Sequence, residues 1–200
     1  MDVQFGFDFD RALAAMVYIA SKPEATGLDM YKMCKLVFLG DKLHVVRFGR
    51  PITGDELRAM DFGPVPSNVY DLLKAILAQG EAHEHEHVRT LSQHLAIDRR
   101  YQHPRFQTAK PLDYTYFLSS SELNALDEVV AAHGHKSFDE LYNLTHAMPS
   151  YTKVWEDPNR SSRNPLMSFE DLFTNDSEAI EGAKEEMVED YEMRQAFHAV

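Results

Sequence analysis

Cysteine is nearly absent from this chain: a single residue, Cys34, in 200. A lone thiol closes no internal bridge, which excludes the disulfide frameworks that hold small secreted domains together and fits a reducing compartment. Long apolar runs are missing as well, since no stretch approaches the ~18 residues that span a bilayer. The opening Met1-Asp2-Val3-Gln4-Phe5-Gly6 has neither the basic nor the apolar region of a secretory leader. These absences predict a soluble, cytoplasmic protein without membrane contact. Basic residues are scarce too, with 20 Lys and Arg against 32 Asp and Glu and a net charge of −12. Such an excess opposes contact with a polyanion and disfavours nucleic acid as a partner. The chain also lacks Gly-x-Gly-x-x-Gly, a P-loop, His-Glu-x-x-His and Gly-x-Ser-x-Gly, so the common enzyme templates find no footing.

What is present suits one globular domain, with 44% hydrophobic and 26% charged residues and no internal repeat. The charge is unevenly placed. From Asn175 to Val200 eight acids face only Lys184 and Arg194, so half of the net −12 lies in the last 26 residues. The expected division is a domain over 1–174 and an acidic helical segment over 175–200. The narrow apolar stripe of that segment (Ile180, Met187, Tyr191, Phe197) favours a solvated face, with docking onto its own domain or onto a basic partner as the alternatives. Arg99, Arg100, Arg105 and Lys110 form the one basic patch of note, with an extended segment expected around Phe106.

Apolar spacing predicts a mainly α (α+β) fold: a compact multi-helix domain around a central buried helix, with a small β element. A first helix runs from an Asp8 or Asp10 cap to Ala20. A second, from about Leu28 to Phe48, is apolar over most of its circumference and is the expected centre. Leu57 to Phe62 reads as a short strand, and Gly63-Pro64-Val65-Pro66-Ser67 as a rigid connection whose Ser67 caps a third helix, Asn68 to Gln79, closed by Gly80. Ser119 with Glu122, and Ser137 with Glu140, are capping boxes that start helices over Leu123–Ala132 and Phe138–Ala147, the latter stopped by Pro149. Ser168 to Phe173 is short enough for one more helical turn.

Several residues qualify for chemistry. Cys34, inside the apolar helix, reads as buried and inert. His83, His85 and His87 have a spacing that suits zinc or nickel, although a polar connector yields the same letters. Asp41 and His44 lie one turn apart on the central helix. They form either an acid–base or metal-ligand pair or, as the favoured reading, a polar pair that anchors the Arg50-to-Gly54 turn. His146 and Trp155 read as packing features beside a groove. No cofactor is expected.

The run Lys35-Leu36-Val37-Phe38-Leu39-Gly40-Asp41-Lys42-Leu43-His44-Val45-Val46-Arg47-Phe48-Gly49-Arg50-Pro51-Ile52-Thr53-Gly54-Asp55, followed by Met60-Asp61-Phe62-Gly63-Pro64-Val65-Pro66-Ser67-Asn68-Val69-Tyr70, resembles the Panacea domain of SocA-type antitoxins. The resemblance is a helix ending in Asp-x-x-His, a Phe-Gly-x-Pro-Ile-x-Gly turn and a Phe-Gly-Pro-Val-Pro helix start. Weaker similarity extends it over roughly Phe9 to Phe173. It implies an antitoxin, often phage- or prophage-associated, that neutralises a toxin encoded by an adjacent gene through direct protein binding. At least one SocA-type relative delivers its toxin to a ClpXP-type protease instead. On this resemblance Asp41, His44, Gly49, Pro51, Thr53, Gly54, Gly63, Pro64, Val65 and Pro66 shape the signature, His146 and Trp155 lie near it, and the neighbouring surface meets the toxin. A homo-oligomer stays open, and the alternatives are a metal-dependent hydrolase using Asp41 and His44 or a DNA-binding autoregulator using the basic patch.

Overall fold

In the computed structural model, which describes residues 3–78, 85–160 and 162–198, the second helix is the axis on which the rest is hung. The first helix, α1 (Phe9–Ala20), is capped by the Asp8 carboxylate, which accepts the Arg11 N–H. The axis itself, α2, spans Met30–Phe48 and is capped by Asp29 accepting the Lys32 N–H. Leu28, expected inside it, instead gives its carbonyl to the Phe106 N–H at 2.7 Å. Met33, Leu36, Val37, Phe38, Val45 and Val46 are buried around the circumference of α2, and so are Lys35, Asp41 and His44. A helix buried on all sides is apolar all round, and its few polar side chains must find partners there.

The segment after α2 forms a hairpin of β1 (Leu57–Met60) and β2 (Gly63–Pro66), with Leu57 opposite Pro66 and Met60 opposite Gly63. The Gly63–Pro66 segment, expected as a rigid connection, is therefore a strand, and the strand expected to reach Phe62 ends at Met60. Asp61 and Phe62 are the two-residue turn between them, and Gly63 supplies a positive φ of 92° just after it. The other side of β1 is covered by the chain after Asn164: Ala59 N–H donates to the Pro165 carbonyl and Met167 N–H to the Leu57 carbonyl.

Next come α3 (Ser67–Leu77) and α4 (Glu86–His94). Ser67 does not cap α3. That role falls to Asp55, whose carboxylate accepts the Asn68 and Val69 N–H groups at 2.9 and 2.8 Å. Gly80, expected to close this helix, lies outside the described residues. A second hairpin, β3 (Leu95–Asp98) with β4 (Arg105–Thr108), includes the extended segment expected at Phe106. Both capping boxes form, starting α5 (Ser120–His133) and α6 (Phe138–His146). Pro149, read as a stop, is the first residue of a further helix, α7 (Pro149–Trp155), where its missing N–H costs nothing. Phe169–Phe173 is a 3-10 turn. Among the described residues the architecture is mainly helical with two small antiparallel sheets, and no helix is long and apolar enough to cross a membrane.

The acidic C-terminal segment, expected to be solvated, has one face docked on α2. Its helix α8 (Ala183–His198) buries Ala183 and Met187. Ahead of it, Asp176 pairs with Lys42, Glu178 with Arg47 at 2.6 Å, and the Ile180 N–H with the Val46 carbonyl at 2.8 Å. Gly49 makes this approach possible: a Cβ there would stand 2.7 Å from the Ala183 carbonyl oxygen. The apolar stripe was narrow, but a glycine-opened helix end is enough to receive it.

Candidate functional site

The turn after α2 is held from inside by groups that the helix cannot expose. Asp41 accepts the N–H of Ile52 and of Thr53, both at 2.8 Å, and the Thr53 hydroxyl at 2.5 Å. One turn along, the His44 Nδ1–H donates to the Arg50 carbonyl at 2.7 Å, which leaves Nε2 to accept from the Ser121 hydroxyl at 3.1 Å. Burial pushes the Asp41 carboxyl up to about 7 against those hydrogen bonds. It pushes His44 down to about 4, with Arg50 and Arg11 adding to the effect. Outside this pair, the buried Glu122 carboxylate bridges Arg11 and Arg50 while also completing the capping box at the Ser119 N–H. Arg11 itself donates to the Ile52 carbonyl at 2.7 Å. Asp41 and His44 thus each bind the turn rather than one another, which is the geometry of a support. Pro51, Thr53 and Gly54 are buried within the turn they support.

The second feature adjoins the β1–β2 hairpin. Met30, Tyr31 and Cys34 of α2, Met60 and Phe62 of the hairpin, and Phe138 at the start of α6 line a groove of about 570 Å³. Phe62 is 60% exposed and Phe138 47% exposed, and their rings meet edge to face with centroids 6.0 Å apart. Phe138 also leans on Tyr31 at 4.4 Å. From there ring contacts continue inward through Tyr142, His146, Tyr151 and Trp155, which fixes the position of the exposed end. Arg163 and His103 stand at its edge, and Arg163 pairs with Asp61 at 3.1 Å.

Under the groove lies an unusual group. Lys35 is fully buried, and its ammonium donates to the Pro64 carbonyl at 2.7 Å. Among the described residues no carboxylate pairs with it, and burial lowers it to about 7. Gly63 leaves room for it, since a Cβ at residue 63 would stand 2.8 Å from both the Lys35 Nζ and the Thr145 hydroxyl. The ammonium also lies 5.1 Å from the centre of the Tyr31 ring, whose buried hydroxyl has no hydrogen-bond partner among the described residues.

The structure therefore separates the predicted residues into two groups. Asp41, His44, Gly49, Pro51, Thr53 and Gly54 belong to the turn and its supports. Gly63, Pro64, Val65, Pro66, His146 and Trp155 belong to the hairpin and the aromatic row behind the groove. The signature residues of both groups are buried, so they shape a surface, and the rings at that surface are Phe62 and Phe138. Neither ring, nor Tyr31 or Lys35, stands out in the sequence: Phe138 looks like an ordinary first residue of a capped helix. Cys34 is buried, with its thiol raised to about 12 by burial, in keeping with an inert side chain.

Of the remaining candidates, His83 lies outside the described residues; His85 precedes α4 with its ring 6.1 Å from that of His87, which stacks on Phe9 at 3.9 Å. Arg100 pairs with Asp98, Arg105 lies over the Tyr101 ring and Arg99 donates to the Leu77 carbonyl, so the basic patch is largely engaged with its own hairpin and α3.

Compared with known proteins, the chain matches the family model described as antitoxin SocA-like, Panacea domain, over residues 33–150. No curated protein and no solved structure matches it. The matched span contains Asp41, His44, Thr53 and Glu122 of the turn and both exposed rings of the groove.

Proposed function

We propose, because the chain belongs to the SocA-like antitoxin family of Panacea-domain proteins, that it neutralises a toxin encoded by an adjacent gene by binding that toxin directly. The family match carries this reading. The geometry supports it: the signature is spent on rigid support, and what the support presents is a pair of exposed aromatic rings beside an apolar groove. Aromatic anchors on rigid elements are the groups that carry binding energy at protein interfaces. The function then lies in a surface and not in a reaction, and both proteins act in the cytoplasm. An acidic protein is also matched electrostatically to toxins that are basic, which assists their encounter.

Co-expression tests the reading. The adjacent gene expressed alone should arrest growth, and co-expression with this chain should restore it. A neighbour that is harmless alone, or that stays toxic beside this chain, contradicts it. Toxin abundance in the rescued cells separates the two routes. Unchanged abundance indicates sequestration, whereas loss that depends on a ClpXP-type protease indicates delivery for degradation.

A further inference from the structure

Residues 176–187 lie across the second half of α2 as a strap that fits the surface beneath it unevenly. Ala183 and Met187 are buried at one end, while at the other Asp176 pairs with Lys42 and Glu178 with Arg47. Under Asp176, Ser177 and Glu178 is a recess of about 350 Å³ between α2, α5 and α6. Leu39, Leu43, Val129, Leu144 and Met148 give it apolar walls. The strap brings only two acids and a serine to it, and Ile180, the first large apolar residue after them, is 51% exposed. Close packing is the rule inside proteins, and a segment that only closed the fold would place an apolar side chain there. The charges are matched where the volume is not. Among the described residues Asp176 is the one acid paired with Lys42, and Arg47 is shared by Glu178 and Glu128 of α5. The walls and both cations lie within residues 33–150, the span of the family domain, and the strap lies outside it. The recess thus belongs to the domain, and the strap is laid over it.

We propose that the strap is an autoinhibitory stand-in, and that the recess between α2, α5 and α6 docks a partner segment of the strap's own chemistry: two carboxylates with a large apolar side chain between them. The seated strap identifies this occupant. Its carboxylates show what Lys42 and Arg47 accept, and at what spacing along a chain. Its backbone shows a further hold, since the Ile180 N–H donates at 2.8 Å to the Val46 carbonyl, one of the last carbonyls of α2 that the helix cannot itself satisfy. The recess at Ser177 shows the group the strap omits. A basic segment would have to remove the acids from Lys42 and Arg47 and then face both with like charge. An acidic one exchanges ion pairs for equivalent ion pairs, so apolar burial decides the competition, by about tenfold for a side chain of leucine size. The recess lies toward the other end of α2 from the groove of Phe62 and Phe138, and its chemistry holds whatever the adjacent gene encodes.

The test uses the full chain and a labelled synthetic peptide of residues 174–190 carrying Ser177→Leu, with binding followed by fluorescence anisotropy. Asp176→Asn with Glu178→Gln and Ile180→Pro opens the strap by removing both ion pairs and the backbone bond, and leaves α2, α5 and α6 unaltered. This opened chain should bind the peptide about tenfold more tightly than wild type does, because the recess of wild type is occupied. It should prefer the Leu peptide to the same peptide with Ser177 kept by about tenfold. Adding Lys42→Gln to the opened chain should weaken binding by about tenfold. Equal affinity for the Leu and Ser peptides shows a strap that only closes the fold and overturns the proposal. Equal binding by wild type and the opened chain, binding undiminished by Lys42→Gln, or no binding at all also overturns it. A second measurement does not need the opened chain to fold. Ser177→Leu in the otherwise wild-type chain should raise Tm by about 2–4 °C, and Ser177→Asn should not. A Tm unchanged or lowered by Ser177→Leu contradicts the recess as a seat for an apolar side chain.

Discussion

Asp41 and Thr53 meet twice, the one carboxylate accepting the Thr53 N–H at 2.8 Å and its hydroxyl at 2.5 Å. A buried side chain in the middle of α2 thereby sets the path of the chain twelve residues later, and the hairpin that carries Phe62 begins from that path. Replacing Asp41 by Ala leaves two buried N–H groups without an acceptor and should cost about 3 kcal/mol of stability, measured by urea unfolding. A cost under about 1 kcal/mol would show that water or another group takes the carboxylate's place.

The same residue opposes His44 in its pH dependence. Asp41 is raised to about 7 in the folded protein, so it binds a proton more readily folded than unfolded, and its contribution is present below about pH 4 and lost as pH rises through 7. His44, lowered to about 4, contributes above its unfolded value of about 6.5 and loses that contribution as pH falls through 4. Between pH 4 and 6.5 the two slopes work against each other. Asp41→Asn should uncover a stability that rises with pH in this window relative to wild type, by up to about 1.4 kcal/mol per unit. The double variant with His44→Gln should remove the rise.

Glu122 is buried while its two arginine partners are partly exposed. Glu122→Ala should therefore cost about 2–3 kcal/mol, less than a fully buried pair but more than a surface one. Glu122→Gln, which keeps an acceptor for the Ser119 N–H, should recover part of that. Thermal unfolding of the three proteins side by side measures it.

Gly63 sits at φ 92° against Lys35 and Thr145. Gly63→Ala combines backbone strain with a blocked Lys35 ammonium and should cost about 2 kcal/mol or more. Restoring stability by adding Lys35→Met, which offers a softer and unhydrated end, would identify the ammonium as the group in the way.

The helical character, the central helix and both capping boxes were legible in the sequence because each rests on neighbours a few positions apart. The anchoring of the Arg50–Gly54 turn by Asp41 and His44 could be read for a related reason: two polar residues on one face of an apolar helix need partners, and the next segment is the nearest source. What failed involved distant groups. Ser67 looked like the cap of α3, but Asp55 outcompetes it because a folded-back carboxylate takes two N–H groups at once. Pro64 and Pro66 read as a connection because proline cannot pair on both sides, yet β2 pairs through one edge only. The docking of α8 hung on Gly49 and Met187, 138 positions apart on the chain. The groove was not legible at all, because its rings arrive from α2, the hairpin and α6, and none of those elements shows alone that a ring is left exposed.

The exposed rings give the most direct test of the account's central claim, that this chain neutralises its toxin through the surface its buried signature supports. Phe62→Ala with Phe138→Ala removes side chains that contribute little to the core, so the double variant should unfold within about 1 kcal/mol of wild type. The measurement is growth, and toxin affinity in vitro, on co-expression with the adjacent gene. The account predicts that wild type rescues growth while the double variant fails to, with affinity reduced at least a hundredfold. Full rescue by a folded double variant would contradict it.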